Sequence, residues 1–141
     1  MSAAVSSELY AQVQHFYARQ MQALDNGRLE EHAGTFTEDG SFALTPGTEP
    51  AVGPQAILEE LRAFMKQFEG NPTQLRHYFN QIVLDPREDG SLVSTVYALI
   101  VRTRPQEQPE IGVSIVLHDV IDTAGDRFRL RSRAVSYDQA A

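Results

Sequence analysis

Long strand-like segments with very short connections occupy the second half of the chain, and they constrain its fold more than any other feature. The segments cover residues 75–84, 92–103, 111–122 and 127–136, and the connections contain REDG, PQEQP and TAGD. Neighbouring parallel strands need a crossover of about a dozen residues or more, so connections this short indicate antiparallel pairing. The sequence therefore predicts an antiparallel meander.

The first half of the chain shows helical periodicity instead. A helix is predicted to begin after Ser6 or Ser7, because a serine hydroxyl can accept hydrogen bonds from the free amides of the first turn. The apolar positions of this helix are Leu9, Val13, Phe16, Tyr17, Met21 and Leu24. The residues DNG at 25–27 end it, and residues 28–36 predict a shorter second helix.

A short strand over 41–45 precedes the clearest helix in the sequence, which lies within residues 53–72. Pro54 suits the first helical position, and Gly70 with Pro72 closes the far end. Its apolar stripe consists of Ile57, Leu58, Leu61, Phe64, Met65 and Phe68. A stripe this broad must pack on a sheet, so we expect an α+β fold with helices on one face of a curved antiparallel sheet.

Composition narrows the class of protein. A chain of 141 residues and 15.7 kDa predicts a single domain over residues 1–141. A net charge of −7 and a pI near 5.0 argue against a nucleic-acid partner, because phosphate binding needs a basic surface. The chain has no cysteine, and its N-terminal MSAAVSSELY lacks a basic segment and a long apolar run. The sequence predicts a cytoplasmic protein with no membrane partner.

Alternation within the strands predicts a surface on which apolar and hydrogen-bonding side chains are mixed. Centring the turns near residues 89 and 107 pairs Gln81 with Tyr97, and Tyr97 with Leu117. One sheet face then carries His77, Phe79, Gln81, Tyr97, Leu99, Ile115, Leu117 and Asp119, with Arg131 and Arg133 beside them. A one-residue shift in a turn would place His118 there instead of Asp119. Such a surface is typical of a small-molecule pocket.

Side chains from the helices are expected to cover this wall. Tyr17 on the first helix and Phe64 and Phe68 on the long helix are the predicted ligand contacts. The arginines of RFRLRSR alternate along one strand face, where they pair with acidic residues or reach a substrate oxyanion.

The ordered motifs YARQMQALDNGRLEEHAGTFTEDGSF, AVGPQAILEELRAF, LRHYFNQIVLD and LHDVID…DRFRLRSR carry a resemblance. They resemble the nuclear transport factor two-like superfamily, and in particular its SnoaL-like polyketide cyclase group with the scytalone and bile acid dehydratases. The resemblance extends over residues 8–136 and implies a cone-shaped α+β barrel. That superfamily includes enzymes and non-catalytic binders, so fold alone does not assign an activity.

The resemblance also implies roles for individual residues. His77 matches the strand histidine that acts as general acid/base, and Asp25 matches the aspartate that orients it. Arg131 or Arg133 matches the region of a substrate-polarising arginine. A second dehydratase histidine falls near Ile111 and a tyrosine near Leu44, so the scytalone dehydratase reaction itself is not expected.

Simpler roles compete with these. Asp25 also suits a cap of the next helix. His32, on the short second helix, is predicted to lie at the pocket mouth or simply on the surface. The histidines show no metal-ligand spacing, and neither a phosphate-binding glycine loop nor a nucleophile elbow is present, so no metal or cofactor is predicted.

The sequence thus favours a cofactor-independent acid/base enzyme, a cyclase, dehydratase or isomerase, acting on a hydrophobic oxygenated molecule such as an aromatic polyketide intermediate. Alternatives are a non-catalytic binding or assembly module and an accessory subunit of a larger enzyme. The opposite sheet face is predicted to form a homodimer, and its apolar residues are expected to be Val96, Ala98, Ile100, Val116 and Val120, with Ser114 among them.

Overall fold

The computed structural model describes residues 5–44 and 47–140. Its helices are α1 (Ser7–Asp25), α2 (Leu29–Ala33) and α3 (Pro54–Met65), and α3 continues into a 3-10 turn over Lys66–Phe68. The strands are β1 (Phe36–Ala43), β2 (Ala51–Val52), β3 (Gln74–Pro86), β4 (Leu92–Thr103), β5 (Glu110–Asp122) and β6 (Arg129–Tyr137). A second 3-10 turn covers Asp138–Ala140. The predicted strand over 41–45 is the end of β1, and Thr45 lies outside the described residues.

The six strands form one curved sheet in the order β2-β1-β6-β5-β4-β3, and its two edge strands leave it unclosed. The predicted meander β3-β4-β5-β6 is confirmed as antiparallel, whereas β1 pairs with β6 in parallel. All three helices precede the four-stranded meander, and the predicted α+β cone is confirmed. No helix among the described residues is both long and apolar enough to cross a membrane.

Helix ends follow their local chemistry. The predicted cap of α1 is Ser6, whose Oγ accepts a hydrogen bond from the Leu9 amide at 3.0 Å. Gly27, with φ of 78°, allows the chain to turn immediately after α1, as a left-handed conformation favours glycine. Pro54 occupies the first turn of α3, as predicted.

The core fills one end of the concave face. Val13 of α1 and Ile57 of α3 are fully buried, as are Val96, Ile121 and Leu130 on three neighbouring strands. These strand positions lie towards the β3-β4 turn. Burial of each such side chain contributes about 1.5–3 kcal/mol, and packing here leaves the opposite end of the cone for a cavity.

The register differs from the prediction in both the β3-β4 and the β4-β5 pairs. The predicted pairing holds near the β3-β4 turn, where Val83 lies opposite Thr95. A bulge between Asn80 and Val83 then shifts the pairing, so His77 faces Ile100 rather than Val101. A second register shift separates Ile100 from Val101 in the β4-β5 pair.

The bulge reverses the predicted faces of β4. Val96, Ala98 and Ile100 point into the cone, and the predicted outer dimer face was wrong for these three residues. On β5 the predicted inward set of Ile115, Leu117 and Asp119 is correct, because the β4-β5 pairing is also displaced by one residue and the two displacements cancel.

Candidate active site

An apolar cavity of about 200 Å³ lies between the helices and the open end of the concave sheet face. Its apolar walls come from α1, α3 and all six strands and include Met21, Phe42, Ala51, Leu61, Phe64, Met65, Leu75, Phe79, Ile100, Ile115, Leu117 and Val135. Seven ionisable or hydrogen-bonding side chains also line it, namely Asp25, His32, Glu60, Thr73, His77, Arg133 and Tyr137. A mostly apolar concave site with a few convergent polar groups is the usual form of a ligand pocket.

Two larger depressions are surface grooves. One, of about 640 Å³, lies between α1 and the β5-β6 turn, and the other, of about 520 Å³, lies on the outer sheet face. Neither contains His77 or Asp25, so we take the smaller cavity as the candidate site.

Asp25 and His77 form a hydrogen-bonded pair in the cavity wall. Asp25 Oδ1 lies 2.5 Å from His77 Nδ1, and Asp25 Oδ2 accepts a hydrogen bond from the His77 backbone amide at 3.0 Å. The two side chains are only 6% and 12% exposed, respectively. A carboxylate acceptor keeps the proton on Nδ1 of a neutral imidazole, so Nε2 carries the lone pair. The pair therefore presents a base at Nε2.

The end of α1 brings Asp25 to this position. Asp25 is the last residue of α1, and Gln74 at the start of β3 donates a hydrogen bond from Nε2 to its backbone carbonyl at 3.0 Å. Both carboxylate oxygens of Asp25 bond to His77. The residue at the N-cap of α2 is Arg28, and α2 has no side-chain cap. The alternative role of Asp25 as a helix cap is therefore wrong.

Arg133 enters the other side of the cavity from a fully buried cluster. Its Nε donates to Asp119 Oδ1 and its Nη2 to Asp119 Oδ2, both at 2.9 Å. The same Nη2 donates to Gln20 Oε1 at 2.9 Å. Burial works against the charge of Arg133, but Asp119 outweighs it and the pKa of the guanidinium is raised. Arg133 therefore remains a fixed cation.

Tyr17 and Asp119 lie behind Arg133 rather than at the cavity surface. The Tyr17 hydroxyl donates to Asp119 Oδ2 at 2.6 Å and lies 2.8 Å from Ser94 Oγ. Burial and the Asp119 charge raise the pKa of Tyr17. Asp119 points inward and His118 outward, which decides between the two alternatives for this wall. Tyr17 and Asp119 thus position Arg133, and neither lines the cavity.

His32 is buried in the same cavity wall, with 1% of its surface exposed. The expectation of a mouth or surface position was wrong. His32 lies three residues after Leu29 and next to Ala33, two apolar residues of the same short helix, so helical spacing places it on their side of α2. Nδ1 lies 3.1 Å from the Gln20 carbonyl oxygen, which can only accept a hydrogen bond. Desolvation lowers the pKa of His32 to about 4.

The predicted placement of Gln81 and Tyr97 in the pocket was wrong. Gln81 lies in the β3 bulge with φ of 54°, and Tyr97 is 58% exposed on the outer face. Both border the outer groove instead. The bulge adds one residue to β3, which reverses the face of every β4 residue beyond it relative to the prediction.

Arg131 and Phe68 also lie outside the cavity lining. Arg131 donates to Asp89 at 2.8 Å and to Asp122 at 3.1 Å, and it falls where the β5-β6 register shifts. Because of this shift, the side chains of Arg131 and Arg133 do not point in the same direction. Phe68 packs edge-on against Phe64 at a centroid distance of 5.8 Å, and only Phe64 reaches the cavity.

Across the described residues, no group of three or more acidic or histidine side chains is arranged to hold a metal ion. Gln20 and Tyr137 were not singled out from the sequence. Gln20 links Arg133 to Thr35, and Tyr137 lines the cavity from the end of β6. A buried glutamine on a polar stretch of helix has no distinguishing sequence signal.

Comparisons with known proteins are consistent with this geometry. Structurally, the chain is similar to ActVI-ORFA from Streptomyces coelicolor, with 37% identity over 94% of this chain and 97% of that one and a TM-score of 0.87. It is similar to Aln2 from a Streptomyces species, with 31% identity over 98% and 96% and a TM-score of 0.90. No match was found among curated proteins.

A protein from Catenulispora acidiphila, solved in complex with S-DNPA, is 40% identical over 96% of this chain and 97% of that one, with a TM-score of 0.85. A putative scytalone dehydratase from Novosphingobium aromaticivorans shares the fold at 17% identity. The sequence profile of the SnoaL-like domain matches residues 5–134. The chain therefore belongs to the SnoaL-like domain family.

Proposed function

We propose that the chain is a cofactor-independent acid/base enzyme, of the cyclase, dehydratase or isomerase type, that acts on a hydrophobic oxygenated small molecule. The observation that carries the proposal is the Asp25–His77 pair in the wall of an apolar cavity, with Nδ1 of His77 bound to the carboxylate. An aromatic polyketide or similar intermediate of antibiotic biosynthesis is the proposed substrate class.

The chemistry begins with removal of a proton from a carbon next to a carbonyl group. Nε2 of His77 takes this proton, and the electron pair moves onto the carbonyl oxygen to form an enolate. Asp25 stabilises the imidazolium that results, because its carboxylate already accepts the Nδ1 proton. Proton transfer of this kind contributes about 10²–10⁴-fold to a rate.

Arg133 supplies the positive charge for the enolate. Its Nε and Nη2 are bound by Asp119 and Gln20, which fixes the guanidinium in the cavity wall. A donor fixed in advance needs no reorganisation as negative charge develops. The His77 imidazolium then returns its proton: to a neighbouring hydroxyl that the enolate expels as water, to the alkoxide formed when the enolate attacks a second carbonyl, or to another carbon of the enolate. These outcomes are dehydration, cyclisation and isomerisation.

The relatives support a ligand-binding cavity. The Catenulispora acidiphila protein was solved in complex with S-DNPA, and it is 40% identical to this chain. We infer that the cavity of this chain also accepts a ligand. The cytoplasmic location and the lack of a cofactor stay predictions from the sequence.

Hydrogen–deuterium exchange of 1-tetralone tests the proposal whichever of the three net reactions the enzyme completes. The hydrogens on its carbon next to the carbonyl exchange only through enolisation, and mass spectrometry follows the exchange in D₂O. We expect the protein to accelerate exchange and His77→Gln to lose about 100-fold or more of that acceleration. His118→Gln is the matched control, because His118 is exposed on the outer face.

Two results would contradict the proposal. One is exchange by His77→Gln at the wild-type rate. The other is a wild-type protein that binds 1-tetralone but does not accelerate exchange, which is the behaviour of the binding-module alternative.

A homodimer through the outer sheet face is the second part of the proposal. The exposed apolar residues there are Tyr78, Val83, Tyr97 and Leu99, which are 52%, 56%, 58% and 37% exposed. They replace the three β4 residues that were wrongly predicted for this face. Light scattering is expected to give a dimer for the wild type and a monomer for Tyr97→Glu, and a wild-type monomer at micromolar concentration would overturn it.

A further inference from the structure

His32 is a buried histidine that the proposed reaction does not use. It is 1% exposed, yet its ring lines the same cavity as His77 and Arg133. Among the described residues it is the only one whose buried side chain has a polar atom without a hydrogen-bond partner, and that atom is Nε2. An unpaired buried acceptor is costly, so its presence in a ligand cavity calls for an explanation.

The protonation of this ring follows from its one partner. The Gln20 carbonyl lies 3.1 Å from Nδ1 and can only accept, so Nδ1 carries a proton. A second proton on Nε2 is disfavoured by burial and by the nearby charge of Arg133, and at neutral pH the ring is neutral. Nε2 is therefore an acceptor with a fixed direction. Since Nδ1 is bound to α1, Nε2 is the ring nitrogen without a protein partner, and the ring to which it belongs lines the cavity.

We propose that His32 Nε2 is a specificity-determining group that accepts a hydrogen bond from a hydroxyl of the substrate. This inference rests on the proposed function, because it takes the cavity as the substrate site. A neutral lone pair attracts a phenolic or enolic O–H and repels a carbonyl or carboxylate oxygen. The bound ligand therefore carries a hydroxyl at the His32 end of the cavity and a carbonyl near His77 and Arg133.

The cavity is compatible with a ligand of this kind. Its volume of about 200 Å³ exceeds the roughly 150 Å³ that holds a benzene ring in an engineered protein cavity. Met21 and Met65 are among its lining residues, and flexible methionine side chains allow the wall to adjust around a ligand. An O–H that reaches Nε2 would satisfy the acceptor for which the surrounding side chains supply no donor.

Binding of 1-naphthol and 1-fluoronaphthalene tests the proposal, because the two probes have similar size and only naphthol has an O–H donor. Their dissociation constants would be measured by fluorescence for the wild type, His32→Phe and His32→Asn. His32→Phe removes both ring nitrogens and keeps an aromatic ring beside Phe36, which lies 6.2 Å away. His32→Asn removes Nε2 and retains a donor for the Gln20 carbonyl.

The proposal predicts that the preference for naphthol over fluoronaphthalene falls about 3- to 10-fold in both variants. His118→Gln should leave the preference unchanged. An unchanged preference in folded His32→Phe and His32→Asn would overturn the proposal. A preference lost in His32→Phe but retained in His32→Asn would also overturn it, because the bond to Gln20 would then be the important one.

A second measurement on the unmodified protein keeps the proposal testable if the variants do not fold. In protein labelled with ¹⁵N-histidine, the unprotonated Nε2 resonance of His32 should shift when 1-naphthol is added and not when 1-fluoronaphthalene is added. No shift at saturating naphthol would contradict the proposal. Failure here is distinguishable from failure of the proposed function, because the tetralone exchange depends on His77 and these binding ratios depend on His32.

Discussion

Asp25 and Asp119 each hold a cationic or basic side chain on the concave face of the sheet, but their partners differ. Asp25 binds His77 through Nδ1 and leaves Nε2 for the cavity. Asp119 binds Arg133 through both carboxylate oxygens, and these side chains are 0% and 3% exposed. A histidine can gain and lose a proton near neutral pH, whereas an arginine remains charged.

The comparison shows how similar carboxylate contacts can serve two purposes. The Asp25–His77 pair suits proton transfer, because the charge of the imidazole can change during a reaction. The Asp119–Arg133 pair suits electrostatic stabilisation, because the charge of the arginine does not change during a reaction. Tyr17 fixes the pair through a hydrogen bond to Asp119, and Gln20 fixes it through a hydrogen bond from Arg133. Cation–π contacts add to this, since Arg133 Cζ lies 5.4 Å from the Phe79 ring centroid and 5.8 Å from that of Tyr17.

The largest expected effect on stability is that of Asp119→Asn. It leaves the buried Arg133 charge without its counter-ion, so the free energy of unfolding should fall by about 3–5 kcal/mol in urea titrations. The charge-free double variant Asp119→Leu/Arg133→Met is the control and should recover most of this loss. If the free energy of unfolding of Asp119→Asn falls by less than about 1 kcal/mol, the Asp119–Arg133 pair does not hold a buried permanent charge as described.

A smaller effect concerns His32, which shares the cavity with both pairs. Its pKa is about 4 in the folded chain against an ordinary value of 6.5, because burial opposes the charged form. Arg133 on β6 and His77 on β3 add to this effect, while the Gln20 carbonyl and Asp25 on α1 oppose it.

The unfolded chain therefore binds a proton that the folded chain does not between pH 6.5 and pH 4. Above pH 6.5 this difference in proton binding does not change the free energy of unfolding. As the pH falls below 6.5, protonation of His32 in the unfolded chain lowers the free energy of unfolding, by about 3 kcal/mol at pH 4. His32→Asn should lose less stability than the wild type over this range, and His118→Gln should follow the wild type. Parallel curves for His32→Asn and the wild type would contradict the assignment of a neutral buried ring.

The smallest expected effect is that of Arg131→Gln. Arg131 forms ion pairs with Asp89 and Asp122 at the protein surface, where solvent screens the charges. Hydrogen bonds from Ser91 and then from Arg131 lower the pKa of Asp89, but that group is exposed to solvent. The urea midpoint should change far less than in Asp119→Asn, and the tetralone exchange rate should stay at the wild-type value. A large decrease in the exchange rate of Arg131→Gln would contradict the placement of Arg131 outside the active site.

The sequence allowed the fold to be predicted because it depends on patterns that repeat over many residues. Strand lengths, short turns and the apolar stripe of α3 all point to one arrangement, and a one-residue error changes none of them. Placement of Asp25 and His77 followed from the family resemblance, which covered the motifs around both residues. Their catalytic role stays a proposal.

The parts of the site that were wrongly placed depend on single inserted residues. Bulges beside Gln81 and Arg131 have no clear sequence signal, since neither position carries a glycine or proline. Tyr97 was assigned to the wrong face because its position was counted across the first bulge. His32 was missed because its burial depends on tertiary packing of a helix of only five residues.

The central claim is that Asp25 and His77 act as one unit in proton transfer, and a double-mutant cycle on 1-tetralone exchange tests it most directly. Exchange rates would be measured for Asp25→Asn, His77→Gln and the double variant, with the fold of each verified by its unfolding curve. We predict that the double variant loses no more than His77→Gln alone, because Asp25 acts through the His77 ring. Losses that multiply in the double variant would contradict the claim and would show that the two residues act independently.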